Sequence, residues 1–253
     1  MKSTRTLDNV VLEEVYSSQA NVQMVQSVLS EERWDYFFPQ ANALYDYQSF
    51  LMAAAKYPAF CNEGDADLCK RELATFFAMT THEVGQENPS SSLPMWRQGF
   101  YYITEKACTA PYGGSTCDYK SESTVWPPVS NVQYFGRGPF QLSWNYNYGA
   151  FSTVLDGDIT TLLEDPDKVA TNGYTAFVSA MWFYMSPSVP KPSMHEIATK
   201  LYVPNASDKA AGLGAIFGSA TMIINGGLEC TTESGDENSN SEKRIEYYQE
   251  FLS

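Results

Sequence analysis

The chain has 253 residues, enough for one large domain or two small ones, and we expect one domain with a substantial core. Its formal net charge of −14 argues against nucleic acid or an anionic membrane as a partner, because basic residues are too few to neutralise phosphates. Aromatic residues make up 14% of the chain, which suits a neutral partner that stacks on flat rings, although a large core also needs many aromatics.

The spacing of the cysteines indicates disulfides and an oxidising compartment. Four of the five cysteines form two closely spaced pairs, Cys61 with Cys69 and Cys108 with Cys117, and short loops favour bridges between such neighbours. We therefore expect these two disulfides, an oxidising environment and a free thiol at Cys230.

Metal and membrane signals are weak. His82 begins a His-Glu motif, but Gln86 stands where a metalloprotease has its second histidine, so we expect no metal and no cofactor. The first eight residues lack the apolar core of a signal peptide, and no run is long enough to span a membrane. If the protein is secreted, we expect its signal peptide to have been removed.

The first predicted elements lie before residue 60. We interpret residues 1–28 as a lead-in or the remnant of a linker, and we expect the main folded domain to occupy residues 29–253. Ser30, followed by two glutamates, has the pattern of a helix start, and Tyr47–Tyr57 predicts a second, apolar helix that Pro58 ends.

Leu73–Gln86 predicts a buried helix with an acid at the edge of its apolar face. Apolar residues recur at three- and four-residue spacing, and Asp65 or Asp67 can cap the helix start. Glu83 lies beside the apolar face, so we expect a poorly solvated carboxyl with a raised pKa that is able to act as a general acid. An ordinary helix-end glutamate paired with an arginine is the alternative.

An irregular region follows this helix. Helical periodicity is absent for about fifty residues after Gln86, and loops of this length inside a compact domain are usually functional, so we expect the rim of a cleft. Beyond it, Asp165 and Pro166 predict the start of a helix that runs through Tyr184. Residues 231–241 predict a polar turn, and Arg244–Leu252 predicts a short C-terminal helix.

Four segments occur in a fixed order along the chain: Thr81–Glu83, Tyr134–Gly149, Ala180–Met185 and Ile223–Cys230. With Gly-Arg-Gly-Pro and Gln-Leu-Ser-Trp-Asn-Tyr-Asn-Tyr-Gly in the second segment, the chain resembles the catalytic domain of family 19 glycoside hydrolases, the plant-type chitinases. The resemblance implies a mainly α, lysozyme-like, two-lobed fold with long loops and a deep substrate cleft. It also implies cleavage of β-1,4-linked N-acetylglucosamine with inversion.

The resemblance implies two catalytic carboxyls. It assigns the general acid to Glu83 and the general base to Glu105, 22 residues later. An inverting site holds one protonated and one ionised carboxyl about 6.5–9.5 Å apart, which leaves room for a water. Ser143 matches a serine that helps Glu105 to hold this water, and the alternative for Ser143 is a local backbone cap.

Further site residues follow from the same resemblance. Substrate-binding positions fall on Trp126, Gln141, Tyr146, Asn147, Lys191 and Asn225. A network that orients the acid falls on His82, Glu229 and Arg244. The alternative for Gln141, Asn147 and Asn225 is that their amides only hydrogen-bond backbone groups. The alternative for Lys191 is a solvated loop charge. The alternative for Arg244 is a helix-surface charge that happens to lie near Glu229.

Two departures from the family pattern stand out. Val84 and Gly85 occupy positions where many members carry hydroxyl side chains, so hydroxyl groups are missing next to the acid. Cys230 matches a cysteine that in plant members pairs within a longer C-terminal segment, and it has no such partner here.

We therefore expect a secreted, monomeric endochitinase that acts on chitin and chitin oligosaccharides. A peptidoglycan hydrolase with the same fold is one alternative, but an anionic cell wall would repel a chain with a net charge of −14. A catalytically silent chitin-binding defence protein is another alternative, and the presence of both Glu83 and Glu105 argues against it.

Overall fold

A computed structural model of the chain describes residues 16–109, 117–188, 190–230 and 235–253. Residues 1–15 of the predicted lead-in and residues 231–234 of the predicted polar turn lie outside the described residues. The described ranges are rich in helix and have isolated β-bridges but no sheet, which confirms the predicted mainly α fold. The helices are α1 (Ala20–Val28), α2 (Glu31–Phe37), α3 (Tyr47–Lys56), α4 (Ala66–Val84), α5 (Asn145–Asp156), α6 (Thr160–Glu164), α7 (Lys168–Thr171), α8 (Gly173–Met185), α9 (Met194–Ala198), α10 (Ala206–Ala210), α11 (Phe217–Glu229) and α12 (Gly235–Leu252).

Side-chain caps fix where the first helices begin. The Ser30 side chain accepts from the backbone N–H of the third residue on at 3.2 Å, and Asp65 does the same at the start of α4 at 3.0 Å. Each cap satisfies a donor that has no partner inside its helix. Both predicted starts are therefore confirmed.

Helix α4 is the central element of the fold. It contacts α1, α9, α11 and α12, and Leu73, Phe76, Phe77 and Val84 are all buried, as the sequence spacing predicted. The helix that carries Glu83 is thus packed on several sides, which fixes the direction in which its last turn points.

An aromatic cluster holds α2, α3, α4 and α8 together. The Trp34 ring stacks on Phe100 with centroids 5.4 Å apart, and it meets Phe77 and Phe177 edge-on at 5.8 Å and 5.9 Å. Offset and edge-on pairs add to the free energy that these rings gain from burial. Phe100 belongs to the loop that follows α4, so the cluster also anchors that loop.

Helix α1 packs into the same core. Val22 and Val25 are fully buried, and the Asn21 amide donates to the Ala54 carbonyl at 2.9 Å. Residues 20–28, assigned from the sequence to a lead-in, therefore lie against α3 and α4.

Two sequence-based helix boundaries are wrong. The predicted helix from Asp165 to Tyr184 is divided into α7 and α8 at Asn172, whose extended backbone and side-chain bond to the Thr175 N–H at 2.8 Å make it a new N-cap. The C-terminal helix begins at Gly235 and not near Arg244. Once its last turns pack on α4, extension through polar residues adds one backbone hydrogen bond per residue, which the polar composition concealed.

Both predicted disulfides are present, Cys61–Cys69 and Cys108–Cys117, and Cys230 is an exposed free thiol. Within the described ranges, every helix is too short or too polar to cross a bilayer.

Candidate active site

The end of α4 is tied to the loop that follows it. The Val84 carbonyl accepts hydrogen bonds from the N–H groups of Tyr101 and Tyr102, both at 2.9 Å, and Gln86 donates to the Gln98 carbonyl at 3.0 Å. These bonds provide partners for backbone groups that a helix end leaves free. They also bring residues 101–105 alongside the last turn of α4, next to Glu83.

Backbone pairing places Glu105. Its N–H donates to the Gly136 carbonyl at 2.7 Å, and the Gly138 N–H donates to the Ile103 carbonyl at 2.9 Å. Gly138 has a φ of +74°, a conformation that favours glycine, and the chain turns back there so that Leu142 pairs with Arg137. The backbone of the Gly-Arg-Gly-Pro motif is thereby hydrogen-bonded to the segment that carries Glu105.

Arg137 holds this turn in place. It is 3% exposed, and its Nε and Nη2 both donate to the Asp167 carboxylate at 2.8 Å. Its Nη1 donates to the Phe135 carbonyl and the Tyr148 hydroxyl, both at 3.1 Å. One guanidinium thus links the motif to α5 and to the start of α7.

A buried arginine connects Glu83 to a second carboxylate. Arg244 on α12 is 1% exposed and grips Glu229 at the end of α11 with two bonds of 2.8 Å, from Nε and from Nη2. The same Nη2 donates to Glu83 Oε1 at 2.5 Å. Arg244 therefore connects side chains on three helices, α4, α11 and α12.

The two carboxyls that meet Arg244 differ in their electrostatics. Burial raises the pKa of Glu83, and the contact with Arg244 only partly opposes it. Burial also acts on Glu229, but the hydrogen bonds from Arg244 and Asn225 outweigh it and lower the pKa of Glu229. Glu229 therefore neutralises Arg244, and Glu83 faces a neutral ion pair, which leaves it able to hold a proton.

His82 and Glu87 lie on the other side of the acid. The His82 Nδ1 is 3.5 Å from Glu87 Oε1, and Lys243 Nζ is 3.5 Å from Glu87 Oε2. Burial, together with the charge of Arg244, lowers the pKa of His82 to about 3, so this imidazole is neutral near pH 7. The negative charge of Glu87 adds to the effects that raise the pKa of Glu83.

These groups surround a cavity of about 390 Å³, which we call the acid pocket. It is lined by His82, Glu83, Gly85, Gln86, Glu87, Tyr102, Thr104, Lys106 and Gln141. Thr104 and Lys106 are the two neighbours of Glu105 in the chain, so the acid on α4 and the Glu105 segment border the same cavity.

Glu105 makes contacts unlike those of Glu83. Its Oε1 accepts a hydrogen bond from the Tyr119 hydroxyl at 2.7 Å, and its Oε2 accepts one from the Gly136 N–H at 3.1 Å. A carboxyl whose two oxygens both accept from donors is arranged as an ionised carboxylate.

Ser143 stands between Gln141 and Asn147. Its hydroxyl donates to the Gln141 carbonyl at 2.8 Å, and its own carbonyl accepts from the Asn147 amide at 2.9 Å. The local backbone contact weighed from the sequence is thus present. Donating its only hydroxyl hydrogen leaves the Ser143 oxygen free to accept a hydrogen bond from another group.

A second cavity, of about 450 Å³, holds four further residues expected from the sequence. We call it the aromatic pocket, lined by Trp126, Tyr146, Asn147, Ala150, Trp182, Phe183, Ser186, Pro187, Ser188, Pro190, Lys191 and Ile223. Gln141 lines the acid pocket and Asn147 lines the aromatic pocket. Ser143 is hydrogen-bonded to both residues and so lies between the two pockets along the chain.

Lys191 and Asn225 have specific partners. Lys191 donates from Nζ to the Met222 carbonyl at 3.2 Å, so it is fixed against α11. Asn225 breaks the helical geometry of α11, with φ −145° and ψ 30°, and its amide donates to Glu229 Oε1 at 2.8 Å. Asn225 therefore supports the carboxylate that grips Arg244.

Sequence reasoning missed Tyr119, Glu87 and Arg137 as parts of the site. Tyr119 lies in a polar, irregular stretch two residues after Cys117, and that closeness to a disulfide was its only signal. Glu87 stands just past the helix end, four residues after Glu83, and Arg137 is conspicuous only as the charge in a glycine-rich motif.

A family model described as chitinase class I, of glycoside hydrolase family 19, matches residues 22–253. The chain belongs to glycoside hydrolase family 19. The chain is 39% identical over 211 residues to chitinase 3 of Oryza sativa subsp. japonica and 40% identical over 210 residues to endochitinase 3 of Solanum tuberosum. Each alignment covers 83% of this chain, which spans 62% of the length of each of these relatives.

Solved family 19 structures have the same fold. A class IV chitinase from Zea mays superposes with a TM-score of 0.65 at 28% identity, covering 90% of this chain and 92% of that one. A bacterial family 19 chitinase superposes with a TM-score of 0.64 at 30% identity, covering 89% and 93% of the two chains. The lysozyme-like helical fold implied by the sequence motifs is therefore confirmed.

Proposed function

We propose that this family 19 chain is a chitinase that hydrolyses β-1,4-linked N-acetylglucosamine with inversion, with Glu83 as general acid and Glu105 as general base. The observation that carries the proposal is the difference between the two carboxyls beside the acid pocket. Burial raises the pKa of Glu83, whereas Glu105 accepts hydrogen bonds at both oxygens. Paired carboxyls whose environments push them towards opposite protonation states are the usual signature of an acid and a base.

Glu83 begins the reaction. Because Arg244 donates to Oε1, the proton resides on Oε2, from which it passes to the glycosidic oxygen as the bond from that oxygen to C1 breaks. Glu83 becomes a carboxylate, and the Arg244 bond to Oε1 then stabilises its charge.

A water completes the displacement. It donates one hydrogen bond to Glu105 and one to the Ser143 hydroxyl oxygen, whose own hydrogen is engaged by Gln141. One lone pair of the water oxygen is then directed at C1, and Glu105 accepts the proton as the new bond from oxygen to C1 forms. The new reducing end is the α-anomer because the water attacks from the face opposite the leaving group.

The aromatic pocket supplies the binding surface for the sugar chain. Trp126 and Tyr146 offer faces on which pyranose rings stack, and Asn147 and Lys191 supply donors for hydroxyl and acetamido oxygens. Gln141 serves the same role in the acid pocket. An uncharged polymer such as chitin suits this acidic protein because it is not repelled by the net charge.

The two disulfides support a secreted, extracellular protein, because such bonds persist in oxidising compartments. We also propose that it acts as a monomer on chitin and chitin oligosaccharides.

Hydrolysis of chitin hexasaccharide by wild type, Glu83→Gln and Glu105→Gln tests the assignment. Each variant keeps the side-chain shape and should lose about 10²–10⁴-fold in kcat, since one loses the proton donor and the other the proton acceptor. Azide or formate should partly restore Glu105→Gln only, because these nucleophiles need no base. Glu164→Gln, an exposed charge on α6, is the matched control and should behave as wild type.

Two further readouts make the test specific. Peptidoglycan offered beside the hexasaccharide should remain uncut, and faster turnover of peptidoglycan would overturn the substrate assignment. Proton NMR of a fresh digest, read before mutarotation, should show the α-anomer first. Early accumulation of the β-anomer would instead mean that Glu105 attacks the sugar directly and that no water stands between them.

A further inference from the structure

We propose that Tyr119 is a positioning residue for the base, holding the Glu105 carboxylate in the orientation that receives the proton of the attacking water. The proposal rests on the role of Glu105 argued above and adds a residue that the family motifs did not indicate.

The contacts of Glu105 carry this inference. The Tyr119 hydroxyl donates to Oε1 at 2.7 Å, a short bond of the charge-assisted kind, and the Gly136 N–H donates to Oε2 at 3.1 Å. One donor belongs to the segment after the Cys108–Cys117 disulfide and the other to the Gly-Arg-Gly-Pro turn. A planar carboxylate held at both oxygens by separate segments cannot rotate freely, so its remaining lone pairs have fixed directions.

Tyr119 can act only as a donor in this contact. The hydrogen bond to Glu105, with a smaller effect of burial, raises the pKa of Tyr119 to about 12, so the phenol keeps its proton. Among the described residues, charged or titratable groups near Glu105 include Lys106, whose Nζ lies 4.9 Å from the Tyr102 ring centroid, and Tyr148, which is bonded to Arg137. Replacing the phenol with a phenyl ring leaves all of them in place.

The backbone of Tyr119 is held in an unusual conformation. Its φ is +48°, a left-handed value that side chains other than glycine, asparagine and aspartate adopt rarely. Its carbonyl accepts from the Asn145 N–H at 3.3 Å, and its ring meets Trp144 edge-on at 5.3 Å. Strain that is maintained by neighbours in this way is typical of residues that serve a site.

Tyr119→Phe isolates the hydrogen bond because it keeps the ring and its contact with Trp144. We expect kcat on chitin hexasaccharide to fall about tenfold with KM nearly unchanged, as for a group that acts on the chemical step. Tyr36→Phe, at an exposed tyrosine that lies under Arg97, is the control and should match wild type.

A double-variant experiment separates positioning from general structural support. In Glu105→Gln, with azide as nucleophile, adding Tyr119→Phe should cause no further loss, because Tyr119 has no base left to position. An equal loss in both backgrounds, or a loss in the single variant that appears in KM and not in kcat, would overturn the proposal. If Glu105→Gln itself keeps wild-type activity, the proposed base is wrong. If Glu105→Gln is inactive while Tyr119→Phe is normal, only the role of Tyr119 fails.

Discussion

Removal of one buried charge should move the pH range in which the proposed chitinase works. Glu229 neutralises Arg244, which also contacts Glu83, so Glu229→Gln leaves the guanidinium cation facing Glu83 without its main counter-ion. The cation then favours the ionised form of Glu83 and lowers its pKa. Because the acid must be protonated to act, the alkaline limb of the pH profile should move to lower pH.

The size of the shift follows from the geometry at Nη2. Glu83 Oε1 lies 2.5 Å and Glu229 Oε1 lies 2.8 Å from this one nitrogen, so the two oxygens are at most about 5.3 Å apart. At an effective dielectric constant of about 20, two unit charges this far apart repel by about 3 kcal/mol, so removing the charge of Glu229 makes Glu83 easier to ionise and lowers its pKa. Relaxation of Arg244 reduces this repulsion, and we expect the alkaline limb to move by about 1–2 pH units, since 1.36 kcal/mol corresponds to one unit.

The assay is kcat/KM on chitin hexasaccharide from about pH 4 to pH 9, since that ratio reports groups of the free enzyme. Glu246→Gln removes the same charge from an exposed position on α12 and should leave the alkaline limb unchanged. Glu87→Gln should give a smaller shift than Glu229→Gln, because Glu87 is 33% exposed and also contacts Lys243. Thermal unfolding of each variant shows whether the fold is retained.

An alkaline limb that stays in place in a folded Glu229→Gln variant would refute this reasoning. It would mean that the charge of Glu229 does not act on Glu83 and that the acid owes its protonation to burial alone. A shift to higher pH would contradict the sign of the argument, because that requires the network to destabilise the ionised acid after losing a negative charge.

The other predictions concern stability. Arg137→Ala should lower the free energy of unfolding by about 3 kcal/mol or more, because it opens a cavity and leaves the carbonyls of Gln133 and Phe135 without the guanidinium donor. Asp167→Asn should lower it by under about 1 kcal/mol, because the side chain is 68% exposed and the amide oxygen still accepts from Arg137. Equal losses in urea unfolding would contradict this. Burial opposes protonation of His195, but the contact with Glu72 prevails and raises the pKa of His195. The free energy of unfolding should therefore be highest below about pH 6.5 and should fall as the pH rises through the raised pKa. A flat profile of this free energy between pH 5.5 and 8.5 would exclude this effect of His195. Replacing both cysteines of the Cys108–Cys117 disulfide with serine should lower the free energy of unfolding by about 2–3 kcal/mol, measured by thermal unfolding. The same variant should also have a lower kcat. Full activity would show that the disulfide does not position Glu105.

The parts of the site that lie on one helix were predictable from the sequence. The spacing of Leu73, Phe76 and Phe77 identified the buried face of α4, and the position of Glu83 at the edge of that face predicted a carboxyl with a raised pKa. Local patterns also gave the caps at Ser30 and Asp65, because a cap depends on residues only three positions apart.

Contacts between distant segments were not predictable by such rules. The Tyr119 bond to Glu105 depends on how an irregular loop folds back after the Cys108–Cys117 disulfide, and no periodicity encodes that path. The break between α7 and α8 was missed because the helical pattern continues across Asn172, where a side-chain cap outweighs it. The Arg244 network was found only through the resemblance to a family, since its residues lie on three helices far apart in sequence.

The Arg244 network suits both halves of the proposed reaction. Before proton transfer, Glu229 offsets the guanidinium charge, so the burial of Glu83 prevails and the acid keeps its proton. After transfer, Glu83 is an anion, and the existing 2.5 Å contact with Nη2 provides a donor without any rearrangement. An apolar surrounding alone would also hold the proton but would leave the new carboxylate without a partner, which would raise the barrier. Because the Glu83 side chain is 21% exposed, solvent can return the proton for the next turnover.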